Sequence, residues 1–223
     1  EFLVLDKPAS VHGHSLHYSE TKTLSAFLRS TKPQLLVVAA DQAERGFLYR
    51  LDRETSGLMV YVKNQELHTH LRENFHQLCD KKIYLAVVSG QWKGQEKQAH
   101  YFRASRTKGH QMKVSSKKGE GDQLGELKLR FVHYHDKHDL SLLAIQLHQG
   151  IRHQIRAQLA FLGHPILGDN LYGGKAAERL FLHCYGIRIQ HQGVHHWTSP
   201  APKLFDHFFD LNTCSQVLAD MLR

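Results

Sequence analysis

Two apolar runs joined by one short polar turn set the tightest limit on this fold. Leu127–Tyr134 alternates, with Leu127, Leu129 and Phe131 on one side, and Leu140–Leu147 returns after a turn at Asp136–Asp139. Alternation with a period of two marks a strand with one buried face, so the pair predicts an antiparallel hairpin. Other β-type runs lie at Phe2–Lys7, Leu58–Val62, Ile83–Ser89 and Leu180–Gln190, and Leu35–Ala40 reads as a short buried strand. Helical spacing appears at Thr21–Ser30, Gln65–Cys79, His153–Leu162 and Ser215–Leu222. Thr21 or Thr23 and Asn64 are available as N-caps, and Gly163 as a C-cap. Strands dominate. The expected fold is α+β, with a mostly antiparallel central sheet and flanking helices, rather than a βαβ repeat.

A chain of 223 residues with 41% hydrophobic content can build a substantial core. We expect a single domain over 1–223 with a basic arm inserted at about 93–125. That segment is rich in Gly and Lys and should form short strands or a long β-arm. No apolar run is long enough to span a bilayer, and Glu1–Asp6 reads as a strand rather than a signal peptide. The chain lacks an opening Met, which leaves room for a segment upstream.

The formal charge is +8 and the sequence pI about 9.4, which points to a polyanionic partner, nucleic acid first. Between Lys93 and Arg130 stand ten Lys or Arg against four acids, so +6 of the +8 sits in one segment. Cys79, Cys184 and Cys214 are odd in number and far apart, which suits free buried thiols in a reducing cytoplasm. The nineteen histidines cluster at 12–17, 133–138 and 195–196 without the spacing of a metal site. They read as surface polar groups, and no metal site is expected.

Four stretches carry candidate chemistry. In Tyr49-Arg50-Leu51-Asp52-Arg53-Glu54-Thr55-Ser56-Gly57, one acid sits between two arginines at the entry to a strand. Neighbouring cations favour a carboxylate that can act as nucleophile or base. A turn with a surface ion pair fits the same residues. Tyr84 lies within Lys82–Gly90 and reads as a strand aromatic in the core. Arg152 and Arg156 are four apart, on one face of a helix start where cations suit phosphate or carboxylate. Gly163-His164-Pro165-Ile166-Leu167-Gly168-Asp169 is a turn-rich loop behind that helix.

In this order, Arg50–Gly57, Lys82–Gly90, His153-Gln154-Ile155-Arg156 and Gly163–Asp169 resemble the motifs of the RluA-type RNA pseudouridine synthases. Phe2–Pro8 resembles the opening strand of that family, which ends in Lys-Pro. The likeness runs from about residue 1 to about 190. It implies a catalytic domain with a central sheet divided by an RNA-binding cleft, acting on selected uridines without cofactor or metal. Asp52 would be the catalytic aspartate, Tyr84 would stack on the uracil and take part in removing the C5 proton, and Arg156 would pair with Asp52. Ile155 would pack beside Arg156, and Arg53 would form a structural ion pair. Arg50 would contact RNA, as would Arg152, His153 and the arm residues Lys108, Lys113, Lys117 and Lys118. The partner would be RNA, with ribosomal RNA favoured over tRNA, and the protein a cytoplasmic monomer. Asp52 could attack C1′ or assist loss of uracil; both routes stay open.

Two departures from the family pattern stand out. Tyr49 replaces the usual His before Arg-Leu-Asp, and Ile151-Arg152 replaces the usual Arg-Thr before His-Gln-Ile-Arg. Both would tune RNA contacts. The alternative on the same fold is an RNA-binding assembly factor without catalysis, which intact Asp52, Tyr84 and Arg156 argue against. A two-carboxylate hydrolase would need a second positioned acid; Asp169 is the one candidate and reads as structural.

Overall fold

A computed structural model describes residues 1–15, 19–40, 45–105, 111–147 and 150–223. In chain order the strands are β1 (Phe2–Lys7), β2 (Ser56–Val62), β3 (Lys81–Ser89), β4 (Lys97–Ala104), β5 (Met112–Ser115), β6 (Gln123–His135), β7 (Leu140–Leu147), β8 (Leu182–Gln190) and β9 (Val194–Thr198). The helices are α1 (Leu24–Thr31), α2 (Gln65–Glu73), α3 (Phe75–Leu78), α4 (Gln154–Phe161) and α5 (Ser215–Leu222).

The strands form one sheet ordered β1-β2-β8-β3-β7-β6-β4-β5, with β9 pairing β8. Every pairing is antiparallel except β2 with β8. The hairpin read from alternation forms as β6 and β7, closed by Asp139 in the left-handed conformation. β6 is thirteen residues long and pairs β7 with one part and β4 with the other. The basic segment therefore extends the core sheet as β4 and β5. Buried β2, β3 and β7 form the centre of the core, with Leu58–Val62, Ile83–Val88 and Leu142–Ile145 all nearly inaccessible.

Local chemistry explains most element ends. Thr23 caps α1 by accepting from the Ala26 N–H, and Asn64 caps α2 by accepting from the Leu67 N–H. Gly163 takes a left-handed φ of 83° just beyond α4.

Other expectations are corrected. Leu35–Ala40 is not a strand: Pro33 pre-sets a helical φ, and Pro33–Val37 closes a 3-10 turn with Val37 exposed. The helix expected over Gln65–Cys79 breaks at Asn74, where polar Asn is preferred over a further helical turn, and restarts as the short α3. β9 leaves no clear mark in the sequence, because its alternating Val194, His196 and Thr198 are too polar to signal a strand. The histidines are not all surface groups. His68, His100 and His183 are buried, each with polar or aromatic neighbours supplied by distant strands or helices. The three cysteines are buried free thiols.

Among the described residues, no helix is long and apolar enough to cross a membrane.

Candidate active site

One transverse row of the sheet brings the motifs together. Lys7 pairs with Gly57, Gly57 with Cys184, Cys184 with Tyr84, and Tyr84 with Ile145. Gly57 must be Gly: its φ is 114°, and a Cβ would collide with the Cys184 backbone. That close approach lets β2 lie against β8, and it fixes where the loop carrying Asp52 meets the sheet.

Lys7, inaccessible at the end of β1, donates from its ammonium to the carbonyls of Pro8 (3.0 Å), Val11 (2.7 Å) and Arg53 (3.0 Å). It ties the opening loop to the turn beside Asp52. Burial pushes the Lys7 amine down to about 8, against the opposing pull of Glu54 and Asp52. On the other side of that turn, the Thr55 N–H donates to the Asp52 carbonyl.

Arg156, on α4, is 4% exposed and engages three carboxylates. Its Nε and one terminal nitrogen donate to Asp169 at 2.8 and 2.9 Å, a bidentate pair. The other terminal nitrogen donates to Asp52 Oδ2 at 3.1 Å and lies 3.7 Å from Glu54. Burial disfavours the cation, but the hydrogen bonds to Asp169 and the charge of Asp52 outweigh it and hold the guanidinium above its ordinary range. Asp169 is 1% exposed, whereas the Asp52 side chain keeps 24% of its surface open. One carboxylate is thus a buried anchor and the other an oriented, reachable group.

Asp169 owes its position to the loop after α4. Gly168, with φ 79°, passes so close to the Arg179 carbonyl that no side chain fits. Upstream, His164 Nδ1 donates to the Ser89 carbonyl at 2.8 Å, and the Leu167 N–H donates to the Val87 carbonyl at 2.9 Å. These contacts lay the Gly163–Asp169 loop along β3. Asp169 also accepts from the Leu171 and Tyr172 N–H groups.

Tyr84 is buried on β3. Burial holds its phenol well above the ordinary value, with Cys184 beside it and the nearby Asp52 charge pushing the same way. The ring is a neutral phenol at working pH.

Several expected positions are corrected. Arg152 and Arg156 do not share a helix face. His153 adopts a left-handed φ of 54° and starts the helix only at Gln154, so Arg152 stays exposed while Arg156 turns inward. Tyr49 is buried, donates to the Leu58 carbonyl at 2.7 Å and packs on Phe75. The ion pair expected for Arg53 is not formed among the described residues. Its side chain lines an open polar cleft of about 420 Å³ with Ser10, His12, Glu20, Thr21 and Lys22. Ile155 is buried beside Arg156. Arg50, Lys113, Lys117 and Lys118 are exposed, and Lys108 lies outside the described residues.

The clamp by Asp169 is not legible in the sequence as part of the site. A signal exists in Gly168-Asp169, an acid directly after a residue suited to positive φ, but the partner is thirteen positions away. Neither Lys7, which reads only as the end of the opening strand, nor Tyr172 carries a sequence signal that marks it as part of the site.

The site can hold a carboxylate at fixed direction beside a buried aromatic ring, at the edge of a basic sheet extension. A family model described as RNA pseudouridylate synthase matches residues 1–161. The chain belongs to that family. It is 31% identical over 196 residues to the ribosomal large subunit pseudouridine synthase D of Borreliella burgdorferi, covering 84% of this chain and 58% of that protein. It is 29% identical over 207 residues to the ribosomal large subunit pseudouridine synthase C of Vibrio parahaemolyticus, covering 87% and 60%. The chain spans about 60% of the length of the curated relatives it matches. Among solved structures, human RNA pseudouridylate synthase domain containing 1 superposes with a TM-score of 0.74 over 98% of this chain and 91% of that one, at 23% identity. That likeness speaks to the fold.

Proposed function

We propose that this protein isomerises selected uridines of structured RNA to pseudouridine, with Asp52 as the reacting carboxylate. The observation that carries the reading is the Arg156 fork, which fixes Asp52 at 3.1 Å while Asp169 fixes Arg156. Two relatives are named for the large ribosomal subunit, which supports ribosomal RNA as the substrate class.

The reaction breaks the C1′–N1 bond, turns the base, joins C5 to C1′ and moves one proton from C5, so that atoms balance without a co-reactant. A uracil stacked in a helix cannot turn, so the nucleotide must leave the stack. Asp52 either adds to C1′ or supports departure of uracil, and Arg156 keeps its oxygens aimed in both routes. Tyr84 offers an aromatic face for the base. Because its phenol is held protonated by burial, it accepts the C5 proton only if its own proton leaves at the same time. Arg50, Arg152, His153 and the lysines Lys113, Lys117 and Lys118 would hold the RNA, mainly through phosphates.

The test is to incubate the protein with total ribosomal RNA and with total tRNA and map pseudouridine by chemical adduct and reverse-transcription stops. New stops in ribosomal RNA are expected, and none with Asp52→Asn, whose RNA affinity should stay within a few fold. Absence of new stops in both pools, with RNA still bound, would instead favour the assembly factor.

A further inference from the structure

The arm and the carboxylate meet through one hydroxyl. The Met112 N–H, at the start of β5, donates to Tyr172 Oη at 2.8 Å. Beside it, Gln111 Nε2 donates to the Leu171 carbonyl at 2.5 Å. The arm is therefore docked on the loop that follows Asp169. Tyr172 Oη also lies 3.0 Å from His153 Nδ1. With its oxygen accepting from Met112, the hydroxyl can donate its proton to Nδ1, the direction that goes with the Nε2–H tautomer of His153. That bond leaves the ring proton of a neutral His153 on Nε2, which faces Asp52 Oδ1 at 3.9 Å. The Tyr172 ring also lies under the Arg156 guanidinium, 5.5 Å from its centroid, and edge-on to His153 at 5.7 Å. Both groups that flank Asp52 rest on this one side chain.

Burial favours neutral His153 over the imidazolium, and Arg156 and Arg152 push the same way, while Asp52 and Asp169 pull against them. A neutral ring has a tautomer to select.

We infer that Tyr172 is a positioning residue that couples docking of the β4–β5 arm to the orientation of Asp52, by selecting the tautomer of His153. This rests on Asp52 as the reacting carboxylate. With the arm docked, Nε2–H points its positive edge at Asp52. With the Met112 donor withdrawn, the Tyr172 oxygen can accept from Nδ1–H instead. Nε2 then turns a lone pair toward the carboxylate, which repels it. RNA phosphates that grip Lys113, the neighbour of Met112, act on the same strand that supplies this donor. Engagement of the arm and readiness of Asp52 are thus one event.

The test uses Tyr172→Phe, which keeps the ring and removes only the hydroxyl, and Met112→Pro, which removes the N–H. Imidazole nitrogen shifts of His153, read by NMR on the whole protein, report the tautomer without any substrate. Single-turnover rates and RNA affinity are measured alongside. The expected result is loss of the Nε2–H tautomer in both variants, a rate lower by about tenfold or more, RNA affinity almost unchanged, and a double variant no worse than either single. An unchanged His153 tautomer in folded Tyr172→Phe overturns the coupling. So does a shifted tautomer with an unchanged rate. If the wild type forms no pseudouridine at all, the catalytic reading has failed; the nitrogen shifts and the Asp52 carboxyl carbon shift then decide the coupling by themselves.

Discussion

At Arg156, the nitrogens divide between a buried and a reachable carboxylate. The geometry separates two consequences of mutation. Arg156→Gln strands Asp169 as an unpaired buried charge, so it should lower stability by about 3–5 kcal/mol, measured by urea unfolding. Arg156→Lys keeps the charge but cannot make the fork, so the protein should remain folded and lose most of its turnover. At Tyr84 the ring and the hydroxyl can be parted in the same spirit. Tyr84→Phe should bind RNA as the wild type does and slow the step that removes the C5 proton, seen as a larger isotope effect with 5-deuterated uridine. Asp52 and Tyr84 are legible as residue types in motifs. What they touch is not. Arg53 shows the same limit in reverse, since a cation expected in an ion pair faces an open cleft.

Between elements, β2 and β8 are locked by a buried polar chain. Arg179 donates to Ser56 Oγ at 2.6 Å, Ser56 donates to His183 Nδ1 at 2.8 Å, and His183 Nε2 donates to the Ser199 carbonyl at 3.1 Å. Both imidazole nitrogens are committed to the neutral ring, and burial pushes His183 down to about 4. The unfolded chain takes up this proton near pH 6.5, whereas the native state resists it until about pH 4. Stability from this group is therefore complete above about pH 6.5 and is lost as the pH falls toward 4. The loss between pH 7 and pH 5 should be about 2 kcal/mol, read from urea unfolding, and His183→Gln should flatten it. Ser56 and Gly57, directly after the Asp52 turn, thus serve strand pairing. Ser56 holds β8 through His183, and Gly57 permits the close approach.

For the whole molecule, the asymmetry of charge matters more than its total. The sheet continues outward from the core along β6 into β4 and β5, so the basic segment is rooted in the same hydrogen-bonded ladder as the site. Part of its charge is offset locally, where Glu96 lies 3.6 Å from Arg130 and 4.0 Å from Lys128. The exposed lysines at 113, 117 and 118 remain for a polyanion. Replacing these three with Gln should weaken RNA binding and reduce the salt slope by about 0.7–0.9 for each phosphate that is no longer neutralised, measured by filter binding across a salt series. An unchanged slope would place the RNA on another face.

Alternation and β-branched content were enough to determine the hairpin, the central strands and the α+β class, because burial on one face leaves a period in the chain. Capping residues and Gly at turns set helix ends for the same local reason. The order of strands was decided only by tertiary structure, since pairing β2 with β8 joins residues more than 120 positions apart. So was the Asp169–Arg156–Asp52 chain, whose members attract one another through space and leave no spacing to read. Arg152 and Arg156 parted for a backbone reason, the left-handed turn at His153, which no helical count could reveal.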